Sequence, residues 1–302
     1  RDVEGGGATE KALRDVEDAL EPCKRKGIHM EHIIGNHELY NLSRSKLKEN
    51  SLLRIPDPAY YVVKRSVAPD FLFIVLDSFD VSTISSDYQD IAWDILGKNN
   101  PNMDAKTRSC RTKDYNAGMK GINRRFVPFN GALSSKQLEW LRTTLLQNRD
   151  KKVIIWTHVS VYPGSASENT LLWNYEEILE ILRNEGGGRV VAWIAGHDHH
   201  GGYAFDPLSS THHITLGSPL ETKPPETCHG VLEFFDDAIV LHGSGLMWSL
   251  PMRIFGSSPS GREKARRVGS FASWGWLRRK YLYLYVPFIT PPSLISRFEV
   301  TG

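Results

Sequence analysis

Val190-Val191-Ala192-Trp193-Ile194-Ala195-Gly196-His197-Asp198-His199 is a run of six apolar residues that opens directly into a polar turn carrying two histidines. An uninterrupted apolar run of this length suits a strand buried on both faces, as in a parallel sheet covered on each side. The same design recurs upstream. Val153-Ile154-Ile155-Trp156 opens into Thr157-His158, and His32-Ile33-Ile34 opens into Gly35-Asn36-His37-Glu38. In sheets built this way ligands bind in the crevice beyond the strand ends, so three clusters far apart in sequence are expected to converge there.

Helical periods lie between these runs. Ala12, Leu13, Val16, Ala19 and Leu20 mark a helix over residues 10–25 that stops near Gly27. Ser134 and Gln137 form a capping-box pair ahead of Leu138, Leu141 and Leu145, which predicts a helix over residues 135–148. Residues 88–96 and 173–183 read as two more helices, and the polar stretch after Pro101 as a loop able to cover a site. Residues 60–63 and 71–76, rich in β-branched and aromatic side chains, read as strands. Residues 213–216, 231–235 and 238–242 read as shorter strands closing the body as an antiparallel set. Helices alternating with buried strands early, and hairpin-like strands late, place the chain in the α/β (α+β) class with a mixed sheet.

The 302 residues, 40% apolar, suffice for one large domain of roughly 200 to 250 residues plus extras. The net charge of +2 is uneven: residues 246–302 hold nine Arg or Lys against Glu263 and Glu299, which leaves residues 1–245 acidic. An acidic body argues against nucleic-acid binding, which needs a clustered basic face. The domain is therefore placed at residues 1–245 and a divergent basic tail at 246–302. Trp274, Trp276 and Arg278-Arg279-Lys280 within that tail read either as a membrane or nucleic-acid patch or as sequence without selected structure. Cys23, Cys110 and Cys228 are far apart with no C-x-x-C pair, so neither a disulfide framework nor a cysteine zinc site is expected, and a reducing, cytoplasmic setting is. No apolar run reaches the roughly 18 residues of a membrane span. The first residue is Arg1 and no signal sequence follows, so the true N-terminus is expected to be absent.

Each cluster taken singly has an ordinary structural reading, a hydrogen-bonded turn or a core histidine. Taken in order, a strand-end Asn-His-Glu, a strand-end His and a strand-end His-x-His are a metal-ligand pattern. Imidazole nitrogens with an amide or carboxylate oxygen suit Mn, Fe or Zn, whereas Ca or Mg would want more oxygens. The His197-x-His199 spacing suits a loop, since two residues apart on a helix diverge by about 200°.

Gly35-Asn36-His37-Glu38, Thr157-His158 and Gly196-His197-Asp198-His199 resemble the last three of the five motifs of the calcineurin-like metallophosphoesterase superfamily. The longer strings narrow the resemblance: Gly-Asn-His-Glu-Leu-Tyr-Asn-Leu-Ser-Arg (35–44), Phe129-Asn130-Gly131, Leu172-Trp173-Asn174-Tyr175 and Gly-His-Asp-His-His-Gly-Gly-Tyr (196–203) are similar to the manganese-dependent ADP-ribose/CDP-alcohol diphosphatase family. The resemblance implies a sandwich of two mixed β-sheets flanked by helices. It implies two divalent metals, manganese foremost, and hydrolysis of the pyrophosphate bond in ADP-ribose or CDP-alcohols by a metal-activated water, the partner being a small-molecule nucleoside diphosphate; the chain is expected to be a monomer. Carried over, Asn36, His158 and His197 bind one metal and His199 the other. His37 lies near the phosphate as general acid or charge stabiliser, and Glu38 orients a ligand or the loop. Arg44 reads either as a phosphate ligand or as an ion-pair partner, and Asn174, with Trp173 and Tyr175, either as lining the nucleotide or as starting a core helix.

The family's first two motifs, an Asp-x-His element and a Gly-Asp-x-x-Asp element, supply the carboxylates that hold and bridge the metals. No Asp-x-His precedes Asn36 and no Gly-Asp pair occurs in the chain. The fold is therefore expected to be incomplete at its N-terminus. The retained donors are neutral, so the chain as it stands is expected not to hold the metal pair.

Overall fold

Four parallel strands form the centre of the main sheet. In the computed structural model, which describes residues 6–255 apart from 52, 54, 64–67, 85 and 224, Phe71–Val75, Lys152–Trp156, Val190–Ala195 and Thr211–Thr215 lie side by side in that order. Antiparallel strands close both edges, Tyr61–Val62 beside Phe71–Val75 and Gly202–Asp206 beside Thr211–Thr215. A second sheet of Cys228–Phe234, Ala238–Gly245 and Leu250–Arg253 is antiparallel throughout.

The alternation of side chains along the central strands explains why these runs are apolar at every position. Ile155 and Trp193 face Leu141, Leu145, Ile178 and Leu182 of the helices Ser135–Gln147 and Tyr175–Asn184. Their neighbours Ile154 and Ile194 face the other way, onto Leu232, Phe234 and Ile239 of the second sheet. Every residue of Val190–Ala195 is buried as a result. Truncating one of these buried leucines or isoleucines to alanine costs about 2–5 kcal/mol.

Ser134 caps its helix as expected, its Oγ accepting from Gln137 N at 3.2 Å. Gln137 does not return the bond. Its buried amide accepts from Asp77 N at 2.8 Å and donates to Asp77 O at 3.1 Å and Asp80 Oδ2 at 3.0 Å. Half of the capping box thus becomes a clamp on the turn that follows Phe71–Val75, a turn that abuts the site described below.

Three expectations need correction. His32-Ile33-Ile34 is not a strand: Ile34 is buried in the core, but the segment joins no described ladder. Residues 213–215 belong to Thr211–Thr215, a strand of the main sheet parallel to Val190–Ala195, and not to the late antiparallel set. Ordered structure continues past residue 245, because Leu250–Arg253 pairs with Ala238–Leu241; residues 256–302 of the proposed tail lie outside the described residues. The strand Gly202–Asp206 and the six-residue helices Asn36–Asn41 and Arg44–Glu49 have too few apolar positions to show a period in sequence. No described helix is long and apolar enough to cross a membrane.

Candidate metal centre

Backbone bonds beyond the strand ends bring the three polar clusters together. Thr157 N donates to Ile194 O at 3.0 Å and Gly196 N to His158 O at 2.9 Å, so the ladder runs on and sets His158 beside His197. From the third side, Ser78 Oγ accepts from His158 N at 3.2 Å and Val159 N at 3.0 Å. His197 turns its side chain inward by taking φ 69°, the left-handed region that L-residues rarely adopt outside constrained sites. Gly35 brings Asn36 in: a Cβ there would stand 2.7 Å from His158 Cε1 and 2.8 Å from Glu38 Oε2. The Glu38 carboxylate accepts from Gly35 N at 2.8 Å, which fixes the start of the helix Asn36–Asn41. Burial raises the pKa of that carboxyl group.

Three donor atoms meet at the centre. His158 Nε2 lies 2.9 Å from Asn36 Oδ1 and 3.2 Å from His197 Nδ1. The other nitrogen of His197, Nε2, lies 2.8 Å from Asn130 Oδ1. Asn130 is fully buried, and its amide nitrogen donates to Arg125 O at 2.8 Å and Asn169 O at 2.9 Å. That orientation leaves its oxygen to accept, so His197 carries its proton on Nε2 and keeps the Nδ1 lone pair facing His158. Burial, reinforced by the neighbouring His197, His37 and His199, drives the His158 pKa well below the ordinary value, and burial likewise pushes His197 down to about 3. Both rings are neutral at pH 7, the form that binds metal.

These spacings fit a coordination shell. Two donors bound at about 2.1 Å and at right angles are about 3.0 Å apart, close to the 2.9 and 3.2 Å that separate His158 Nε2 from its two neighbours. The set fits the neutral face of one borderline ion. Among the described residues no three His, Cys, Asp or Glu side chains group as a metal site, so nothing described adds a carboxylate to this amide and pair of imidazoles.

Comparison with known proteins accords with this architecture. Residues 3–201 match the calcineurin-like phosphoesterase family. The chain belongs to the calcineurin-like phosphoesterase family. Over 254 residues this phosphoesterase is 37% identical to a manganese-dependent ADP-ribose/CDP-alcohol diphosphatase of Oryza sativa subsp. japonica, covering 81% of this chain and 74% of that protein. A protein of the same name from Homo sapiens is 31% identical over 258 residues, covering 79% of this chain and 70% of that protein. The crystal structure of a dimetal phosphatase from Danio rerio superposes with a TM-score of 0.70 at 32% identity, over 82% of this chain and 78% of that one. The mixed α/β fold and the phosphohydrolase class expected from the sequence are therefore those of the family.

Other expected site residues of this phosphoesterase sit as follows. His37 is half-buried beside the centre, its ring edge-on to Tyr40 at 5.9 Å, and burial together with nearby His199 lowers its pKa. His199 lies close enough to bear electrostatically on His37, His158 and His197, but its Nδ1 pairs with Glu221 Oε1 at 2.8 Å. Asp198 turns away: burial would raise its carboxyl, yet bonds from Ser167, His200 and Thr170 hold it at about 2. Arg44 takes the ion-pair alternative, donating to Asp77 Oδ2 at 2.6 Å and Phe79 O at 2.8 Å. Asn174 takes the helix-start alternative, its amide exchanging bonds with Leu133 N at 3.2 Å and Leu133 O at 2.9 Å. Asn130 was not singled out from sequence, although Phe129-Asn130-Gly131 was among the strings that carry the resemblance.

Proposed function

We propose that this chain is a metal-dependent phosphohydrolase that cleaves the pyrophosphate bond of ADP-ribose and of CDP-alcohols such as CDP-choline and CDP-glycerol. The convergence of Asn36 Oδ1, His158 Nε2 and His197 Nδ1 carries the reading, and the names of its relatives give the substrate class. Asn36, His158 and His197 hold one divalent ion, with manganese the first choice; His199 is the residue for a second, which needs carboxylates that the described residues do not bring to the site. When bound, the metals neutralise charge on the phosphoryl group and lower the pKa of water.

The chain's own residues do the rest. Asn130 keeps the Nδ1 lone pair of His197 available, and Glu38 holds the turn that presents Asn36. His37, made neutral by burial, donates an N–H to a phosphoryl oxygen and stabilises its growing charge. The enzyme acts as a monomer in the cytoplasm, a setting in keeping with three free cysteines.

One observation favours a second reading. Asp198 is held by Ser167 and Glu38 by Gly35, and no described carboxylate joins the donors, so the chain alone would bind nucleotide without turning it over. Assay of ADP-ribose, CDP-choline and an aryl phosphate with Mn²⁺ separates the readings. Hydrolysis of both diphosphates, abolished by His158→Ala and by His197→Ala, supports the enzyme. Turnover of the aryl ester alone rejects the substrate class, and no turnover of any substrate supports the second reading.

A further inference from the structure

Two exposed tyrosines from separate segments border the donor cluster. Tyr40, on the helix Asn36–Asn41, is 43% exposed, and Tyr115, on the loop after Pro101, is 40% exposed. Tyr40 meets the His37 ring edge-on, and its phenol hydrogen-bonds the Asn36 side chain. On the other side Tyr115 packs on Phe129 with centroids 6.3 Å apart, and Phe129 packs on His197 at 5.9 Å. The two rings thus border the donor cluster from different segments, Tyr40 through His37 and Tyr115 through Phe129.

The exposure of Tyr115 is built in. Asn100, only 1% exposed, donates to Tyr115 O at 2.9 Å and Phe126 O at 2.7 Å, and Asn102 donates to Tyr115 O at 3.2 Å and Ala117 O at 2.9 Å. Two buried asparagines thus pin the backbone of a loop whose aromatic ring remains in solvent. An aromatic ring left open on a fixed backbone, next to a phosphoryl site, is suited to stack a flat heterocycle.

We propose that Tyr115, with Tyr40 opposite, is the stacking platform for the nucleobase of a nucleoside diphosphate substrate whose diphosphate lies at Asn36, His158 and His197. This rests on the diphosphatase reading above. Stacking uses the π-face that every base has, so one platform takes adenine and cytosine without reading their edges. Tyr40 has a second task, since it also positions Asn36, which makes Tyr115 the cleaner residue to change.

The test is equilibrium binding of AMP, CMP and ribose 5-phosphate to the full chain by calorimetry, for the wild type, Tyr115→Ala and Tyr115→Phe. The wild type should bind both nucleotides more tightly than ribose 5-phosphate. Tyr115→Ala should weaken AMP and CMP by about tenfold or more, leave ribose 5-phosphate unchanged, and be rescued by Tyr115→Phe. The platform is overturned if the wild type binds no nucleotide or gains nothing from the base. It is equally overturned if Tyr115→Ala binds nucleotides like the wild type or weakens ribose 5-phosphate to the same degree. Hydrolysis is read separately: base-dependent binding without cleavage of either diphosphate rejects the diphosphatase reading and leaves the platform standing.

Discussion

His158 Nε2 stands 2.9 Å from Asn36 Oδ1, across 122 positions of sequence, and the buried imidazole between Asn36 and His197 is neutral. A hydrogen bond from a buried histidine to an asparagine is ordinary by itself. What distinguishes this one is that a second imidazole nitrogen, fixed in its tautomer by Asn130, points at the same place with its lone pair. A neutral His158 that carries its proton on Nε2 donates to these acceptors, and a cation that takes the place of that proton meets all three atoms through their lone pairs.

Asn130 should therefore control metal affinity without being a ligand. Asn130→Ala removes the acceptor that holds the His197 proton on Nε2, and Mn²⁺ should bind about 10- to 100-fold more weakly. Calorimetric titration checks this, and unchanged affinity would show that the tautomer does not matter.

Arg44 should matter for stability and not for substrate. Its partner Asp77 is buried, with a side chain only 3% exposed, and the ion pair is 2.6 Å long. Arg44→Ala leaves that carboxylate uncompensated and should cost about 3–5 kcal/mol in urea unfolding. Adding Asp77→Asn should restore part of the loss. A change confined to KM for a diphosphate substrate, with stability intact, would return Arg44 to the role of phosphate ligand.

Acid should destabilise the fold through His213. Both of its ring nitrogens are buried without a partner among the described residues, the ring stacks on Tyr162 at 4.5 Å, and burial pushes its pKa down to about 3. Between pH 6.5 and that value the unfolded chain binds the proton and the folded chain does not, so stability falls as pH falls through this window. The loss from this one group is on the order of 3 kcal/mol by pH 4. His213→Phe keeps the stack and removes the titration. Unfolding at pH 7 and pH 4 should show a smaller drop in the variant, and equal drops would clear His213 of the effect.

Much of the fold was legible because burial on both faces leaves a plain mark: Val190–Ala195 reads directly from its apolar run, and Ser134 from its place before a leucine period. The edge strand Gly202–Asp206 was not legible, since an edge strand with half-exposed residues has no such run. In the site, Asn36, His158 and His197 read from sequence as ligands at strand ends; the three side chains do meet, although Asn36 follows an irregular segment and not a strand. Asn130 was hidden because an asparagine that orients a histidine from 67 positions away leaves no local pattern. Arg44 and Asn174 show the opposite case: side chains able to bind a phosphate or a nucleotide, taken up by Asp77 and Leu133 for reasons that only tertiary packing reveals.

Titration of Mn²⁺ into the full chain, run beside His158→Ala, tests the centre most directly. Three neutral donors without a bridging carboxylate should give one weak site, lost or weakened at least tenfold in the variant. No binding at all, or identical isotherms for wild type and His158→Ala, would contradict the assignment of Asn36, His158 and His197 as the metal face, and two tight sites per chain would contradict the lack of a bridging carboxylate.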